Sequence, residues 1–137
     1  MAELYGNYYI KPTASALVRA WKLCNGNAKD FYRLRSHALK LAYWPDQVDL
    51  DWDWIKSLEA KRVGELRIGE RIAGHDNIRI IFFKANKVLL GDPSMPRIWT
   101  LHVFQKKRND FSGGQIAAFR AMRDIIVERH YANLPGA

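Results

Sequence analysis

Hydrophobic positions recur along this chain with two different periods, helical at first and strand-like from residue 64. In 13-TASALVRAWKLC-24, Leu17, Ala20, Trp21 and Cys24 repeat at helical spacing, with Thr13 or Ser15 placed to cap the N-terminus. Asn25-Gly26-Asn27 is a turn signal. The spacing predicts a second helix over roughly 28–43, with Phe31, Leu34, Ala38 and Leu41 on one stripe. Residues 1–45 therefore read as a helical hairpin. Pro45 breaks that pattern, and in 44-WPDQVDLDWDW-54 the alternation of Asp49, Asp51 and Asp53 sets three carboxylates on one side of an extended chain. Carboxylates suit Mg²⁺ or Ca²⁺, but the segment lacks the glycine and the distal glutamate of a calcium loop. It reads as a solvated or partner-facing acidic edge, and no metal site is expected.

From residue 64 the texture turns to short apolar runs, GELRI, NIRIIFFK, KVLL and RIWTLHVF. Gly74-His75-Asp76-Asn77, Ala85-Asn86 and Gly91-Asp92-Pro93 punctuate them. A last helix is predicted from near Ser112 to about His130, with Ile116, Phe119, Met122 and Ile126 as its apolar stripe. Arg120, Arg123 and Arg129 fall mostly off that stripe. The expected fold is one α+β domain over 1–137: an N-terminal helical hairpin, an antiparallel β-sheet meander and a C-terminal helix, the last two within 55–130.

Period two also assigns faces. Leu66 and Ile68 share one side of their strand, as do Ile78, Ile80 and Phe82 of the next, and Leu101, Val103 and Gln105 of the third. If these sides pack on helices, Arg67, Arg79, His102 and Lys106 emerge on one common face. Phe104 is then available to stack on a base, and Lys107 and Arg108 lie just beyond. Such a face suits single-stranded RNA. Each member also has an ordinary reading: solvent-facing strand arginines paired with Glu65, a solvated cluster at Lys106–Arg108, a packed histidine. The functional case rests on their falling together.

Composition agrees with an anionic partner. The 137 residues hold 22 Lys+Arg against 14 Asp+Glu, a net charge of +8 and a pI near 9.8, and the 48% hydrophobic content suits a folded core. A soluble protein with solvated cations has the same balance. The single cysteine, Cys24, excludes a disulfide framework and a cysteine-based metal site, and reads as a small core residue. MAELYGNYYIKP has no basic stretch followed by an apolar run, and no apolar run reaches membrane-spanning length. The location expected is cytoplasmic, without membrane contact.

The run 55-IKSLEAKRVGELRI-68, then 77-NIRIIFF-83, then 101-LHVFQKK-107 followed by a helix, resembles the RelE/ParE toxin superfamily, and within it the phage-related HigB-type branch. Four motifs carry the likeness: a Lys-x-Leu-Glu segment, a Glu-Leu-Arg strand, an arginine-bearing apolar strand and a His-x-Phe-x-Lys-Lys strand end. They cover about residues 55–130. The resemblance implies the toxin of a toxin–antitoxin pair, an endoribonuclease that cuts mRNA in the ribosomal A site and so inhibits translation. It implies no cofactor, and a cognate antitoxin of helix-turn-helix type. In that chemistry the ribose 2′-OH attacks the adjacent phosphate without a metal ion. Carried over by position, Arg67 and Arg79 are assigned to the scissile phosphate, Lys106 to charge stabilisation or proton transfer, and His102 to acid or base chemistry. Lys56, Phe104, Lys107 and Arg108 are assigned to RNA contact. His130-Tyr131 has a weaker claim, since some toxins of this class use C-terminal residues, and packing is the plainer reading. The chain departs from the family in 111-FSGGQ-115, where a Thr-Pro is usual, in the long 89-LLGDPSMPRIW-99 segment, and in its long N-terminal region. Two other readings compete: a ParE-like gyrase inhibitor without nuclease chemistry, and a non-catalytic basic module that binds nucleic acid or a protein.

Overall fold

The computed structural model describes residues 8–45, 50–85, 96–107 and 110–131. Strand β1 (Tyr9–Pro12) leads into helices α1 (Ala14–Leu23) and α2 (Ala28–Leu39), and a 3-10 turn (Lys40–Tyr43) follows. Strand β2 (Trp52–Trp54) and a 3-10 segment (Lys56–Lys61) precede β3 (Val63–Ile68), β4 (Ile78–Lys84) and β5 (Arg97–Gln105). Helix α3 (Gly113–Ile126) ends in a π-helical turn (Val127–Tyr131). The class is α+β, but the sheet is mixed, which corrects the antiparallel expectation. Its order is β1-β5-β4-β3-β2, and β1 runs parallel to β5 while every other pair is antiparallel. The N-terminal region thus opens on a strand rather than on helix alone. The KVLL run lies outside the described residues.

Local chemistry explains the helix ends. Thr13 caps α1, its hydroxyl accepting from the Ala16 amide at 3.1 Å, and Asn27 caps α2 by accepting from the Asp30 amide at 3.0 Å. Ser112 and Gln115 form a reciprocal capping box at the start of α3. The stripe of α1 is displaced from the expected one. Ala16, Ala20 and Cys24 are buried, while Leu17 and Trp21 are 44% and 45% exposed. The small side chains let α1 approach β5 closely, so the bulky ones are left outside.

Two apolar clusters flank the sheet. On one face Leu66, Ile68, Ile78, Ile80, Phe82, Ile98 and Val103 pack with Ala16, Ala20, Cys24 and Leu34 from α1 and α2. On the other, Val63, Ile81, Phe83, Trp99 and Leu101 pack with Phe119 and Ile126 of α3. Leu101 and Val103 therefore lie on opposite faces, against the strict alternation expected of 101-LHVFQ-105. The cause is a register shift: Ile81 pairs with His102 but Phe82 pairs with Thr100, so Leu101 is one residue too many opposite β4. A bulge turns an extra side chain to the same face as its neighbour. Independently of the bulge, α3 packs Phe119 on the face that carries His102 and Phe104.

Candidate functional site

The register of β2, β3 and β4 gathers the charged positions. Arg67 pairs with Arg79, Arg79 pairs with Phe104, and Asp53 pairs with Glu65. All of these except Phe104 are polar interruptions in apolar strands, so the pleat sets them on the α3 face beyond the end of its core. Glu65 is the hub. Its side chain is 8% exposed, and its Oε1 lies 3.2 Å from Arg79 Nε, 3.4 Å from Arg67 Nε and 3.9 Å from Lys106 Nζ. A buried carboxylate is stable only when paired, and three cations meet that need. Arg67 also donates to Asp51 Oδ1 at 2.9 Å and approaches Asp53 Oδ2 at 3.7 Å. The acidic edge expected of Asp51 and Asp53 is thus a clasp on Arg67, while both carboxylates stay largely exposed. Asp49 lies outside the described residues.

An open cleft of about 630 Å³ runs past this network, lined among others by Lys56, Asp53, Glu65, Arg67, Lys106 and Asp110. Lys56 enters from the start of the 3-10 segment, whose Leu58 is fully buried and fixes it against the sheet. Lys106 Nζ sits 4.4 Å from the Phe111 ring centroid, a cation–π contact that orients the ammonium. Phe111, just ahead of the Ser112 cap of α3, thus gives Lys106 a support.

The structure therefore brings Lys56, Arg67 and Lys106 to one cleft, with Arg79 held beside it through Glu65. It does not bring His102 or Phe104 there. The His102 ring packs at 5.4 Å from Phe104 and 5.6 Å from Phe119, and its Nδ1 is buried without a hydrogen-bond partner among the described residues. Burial, with the nearby Arg19 charge second, lowers its pKa to about 4. Phe104 packs on Phe111 and Phe119 at 5.9 Å and 6.1 Å rather than standing as an open stacking platform. Lys107 is exposed, and Arg108 lies outside the described residues. Tyr131 is buried and accepts from Trp99 Nε1 at 2.9 Å, while the His130 ring lies 5.0 Å from that of Trp99, so this pair packs.

Sequence reading missed Glu65 as the centre of the site. The signal was present: a glutamate between apolar residues in a strand with arginine two positions on is seldom buried without that arginine's help. The lining cations Lys56, Arg67 and Lys106 face three lining carboxylates, Asp53, Glu65 and Asp110. The expected cationic face is thus charge-compensated in the free protein. Among the described residues no group of three or more His, Cys, Asp or Glu gathers where it would hold a metal ion, and no helix is long and apolar enough to cross a membrane. No family model matches the chain, and no curated protein matches it.

Proposed function

We propose that the chain is a toxin of the RelE/HigB kind, an endoribonuclease that cuts mRNA on the ribosome. The carrying observation is the convergence of Lys56, Arg67 and Lys106 on one open cleft, with Arg79 and Arg67 aligned by a buried carboxylate. RNA transesterification requires charge stabilisation at a phosphate more than any other single group. The 2′-oxygen forms a bond to phosphorus, the bond from phosphorus to the 5′-oxygen breaks, and a cyclic phosphate and a 5′-hydroxyl result. In this reading the incoming phosphate displaces the exposed Asp51 and Asp53 from Arg67, while Glu65 keeps both guanidiniums in place. A carboxylate in the cleft accepts the 2′-OH proton, and Lys106 or Lys56 supplies one to the leaving oxygen. His102 then serves as packing behind the cleft. A cognate helix-turn-helix antitoxin, mRNA and the ribosome are the partners this function requires, and a cytoplasmic location follows from them.

Charge compensation in the cleft favours one second reading: a non-catalytic module whose ion pairs hold the sheet edge and a partner together. Induction of Lys56→Ala/Arg67→Ala beside the wild-type chain separates the two. Loss of growth arrest with an unchanged unfolding midpoint supports the nuclease. Arrest that persists in the folded double variant rejects it, and gyrase or another protein partner becomes the target to test.

A further inference from the structure

At the opposite edge of the sheet, against β1, two confluent grooves of about 260 and 330 Å³ share Tyr9, Ile10, Arg35 and Leu39. Their charge differs from that of the cleft. Lys11, Arg35 and Lys40 are the charged residues among the described lining, and no carboxylate is among them. Lys11 and Arg35 are exposed, and neither has an ion pair among the described residues. Among the described residues the lining here carries cations alone, whereas that of the cleft sets three cations beside three carboxylates.

The second groove is aromatic as well as basic. Tyr9 and Tyr43, 42% and 38% exposed, line it together with Arg35 and Lys40. The Arg97 guanidinium carbon lies 5.9 Å from the centroid of Tyr9, and Lys84 Nζ lies 5.5 Å from that of Tyr8. Cations that track a phosphate backbone, beside planar rings on which bases stack, make up the chemistry of sequence-tolerant single-strand binding. The groove with Arg35 and Lys40 carries Tyr8, Tyr9 and Tyr43, and these rings beside the cations favour a nucleic acid over a peptide; the adjoining groove with Lys11 is lined mainly by aliphatic side chains. We propose that this edge binds a single-stranded polynucleotide, with Lys11 and Arg35 on phosphates and Tyr9 and Tyr43 against bases. The proposal does not depend on chemistry in the cleft.

The test is fluorescence anisotropy of the whole chain with a labelled oligouridylate of about ten nucleotides. Lys11→Ala/Arg35→Ala is expected to weaken binding about tenfold or more near 0.1 M salt, and to lower the slope of log K against log salt by about 1.4. Tyr9→Leu/Tyr43→Leu is expected to weaken binding at least fivefold. Photo-crosslinking of a thiouridine probe, which needs no variant, is expected to label peptides carrying Tyr9 or Tyr43. Unchanged affinity and salt slope in both groove variants, or crosslinks confined to the cleft, overturns the proposal and leaves the cleft reading intact. So does polyglutamate that displaces the probe equally well while the tyrosine variant binds normally, because the groove is then a site for acidic peptides. Groove-dependent binding without any RNA cleavage in cells upholds the proposal and removes the nuclease.

Discussion

Replacing Glu65 with glutamine removes one charge and almost no volume, so it isolates what the hub does. Its carboxylate stands 3.2 Å from Arg79, 3.4 Å from Arg67 and 3.9 Å from Lys106. At about 4 Å and an effective dielectric near 20, one unit pair is worth roughly 4 kcal/mol in bare Coulomb terms, before desolvation is subtracted. The three cations do not share that equally. The Arg67 side chain is 33% exposed and keeps Asp51 and Asp53, so its loss is small. Arg79 and Lys106, 15% and 14% exposed, have no other carboxylate within ion-pair distance among the described residues. Removing one partner of a buried pair costs about 3–5 kcal/mol, and the open side of the cleft lowers this to about 2–4 kcal/mol for Glu65→Gln. Urea unfolding at pH 7 of the two proteins, compared at equal slope, reads the difference directly. A loss below about 0.5 kcal/mol, the range of ordinary surface changes, refutes the view that Glu65 organises the site.

Gly64→Ala places a Cβ 2.7 Å from Phe82 Cζ and 2.8 Å from the Asp53 backbone oxygen; a loss of about 2 kcal/mol or more is expected in the same urea assay, and a neutral result contradicts the packing of β2 on β3. Ser112→Ala removes the cap of α3 and is expected to cost about 1 kcal/mol, largely recovered in Ser112→Asp. The His102 pKa of about 4 lies below the ordinary 6.5, so the unfolded chain binds a proton that the folded chain refuses. That contribution to stability is full above pH 6.5 and is lost as pH falls from 6.5 through 4; an NMR titration of the His102 ring showing a midpoint near 6.5 rejects the buried placement.

The three long strands and the closing helix were legible because each buries alternate or stripe positions on a thick core, which writes a clean period into the chain. The common side of Arg67, Arg79 and Lys106 followed from the same alternation, since the pleat holds through β3 and β4. Strand β1 left no such trace. It has four residues, it ends in Pro12, and its hydrogen bonds to β5 pair residues nearly ninety positions apart. The bulge at Leu101 depends on how β4 and β5 fit together, and no residue type in 101-LHVFQ-105 signals it. Phe104 was placed on an open face because a one-sheet reading does not show that α3 returns to cover it. The clasp of Asp51 on Arg67 was hidden for a similar reason. The carboxylates were read by their own spacing, whereas the register of β2 against β3 decides their partner.

The central claim, that the cleft cuts RNA, is tested most directly by mapping mRNA 5′ ends in cells after brief induction of the wild-type chain and of Lys56→Ala/Arg67→Ala. New 5′-hydroxyl ends within translated frames, absent with the variant although it folds, are the predicted result. Growth arrest without new ends, or the same ends from both proteins, contradicts the account.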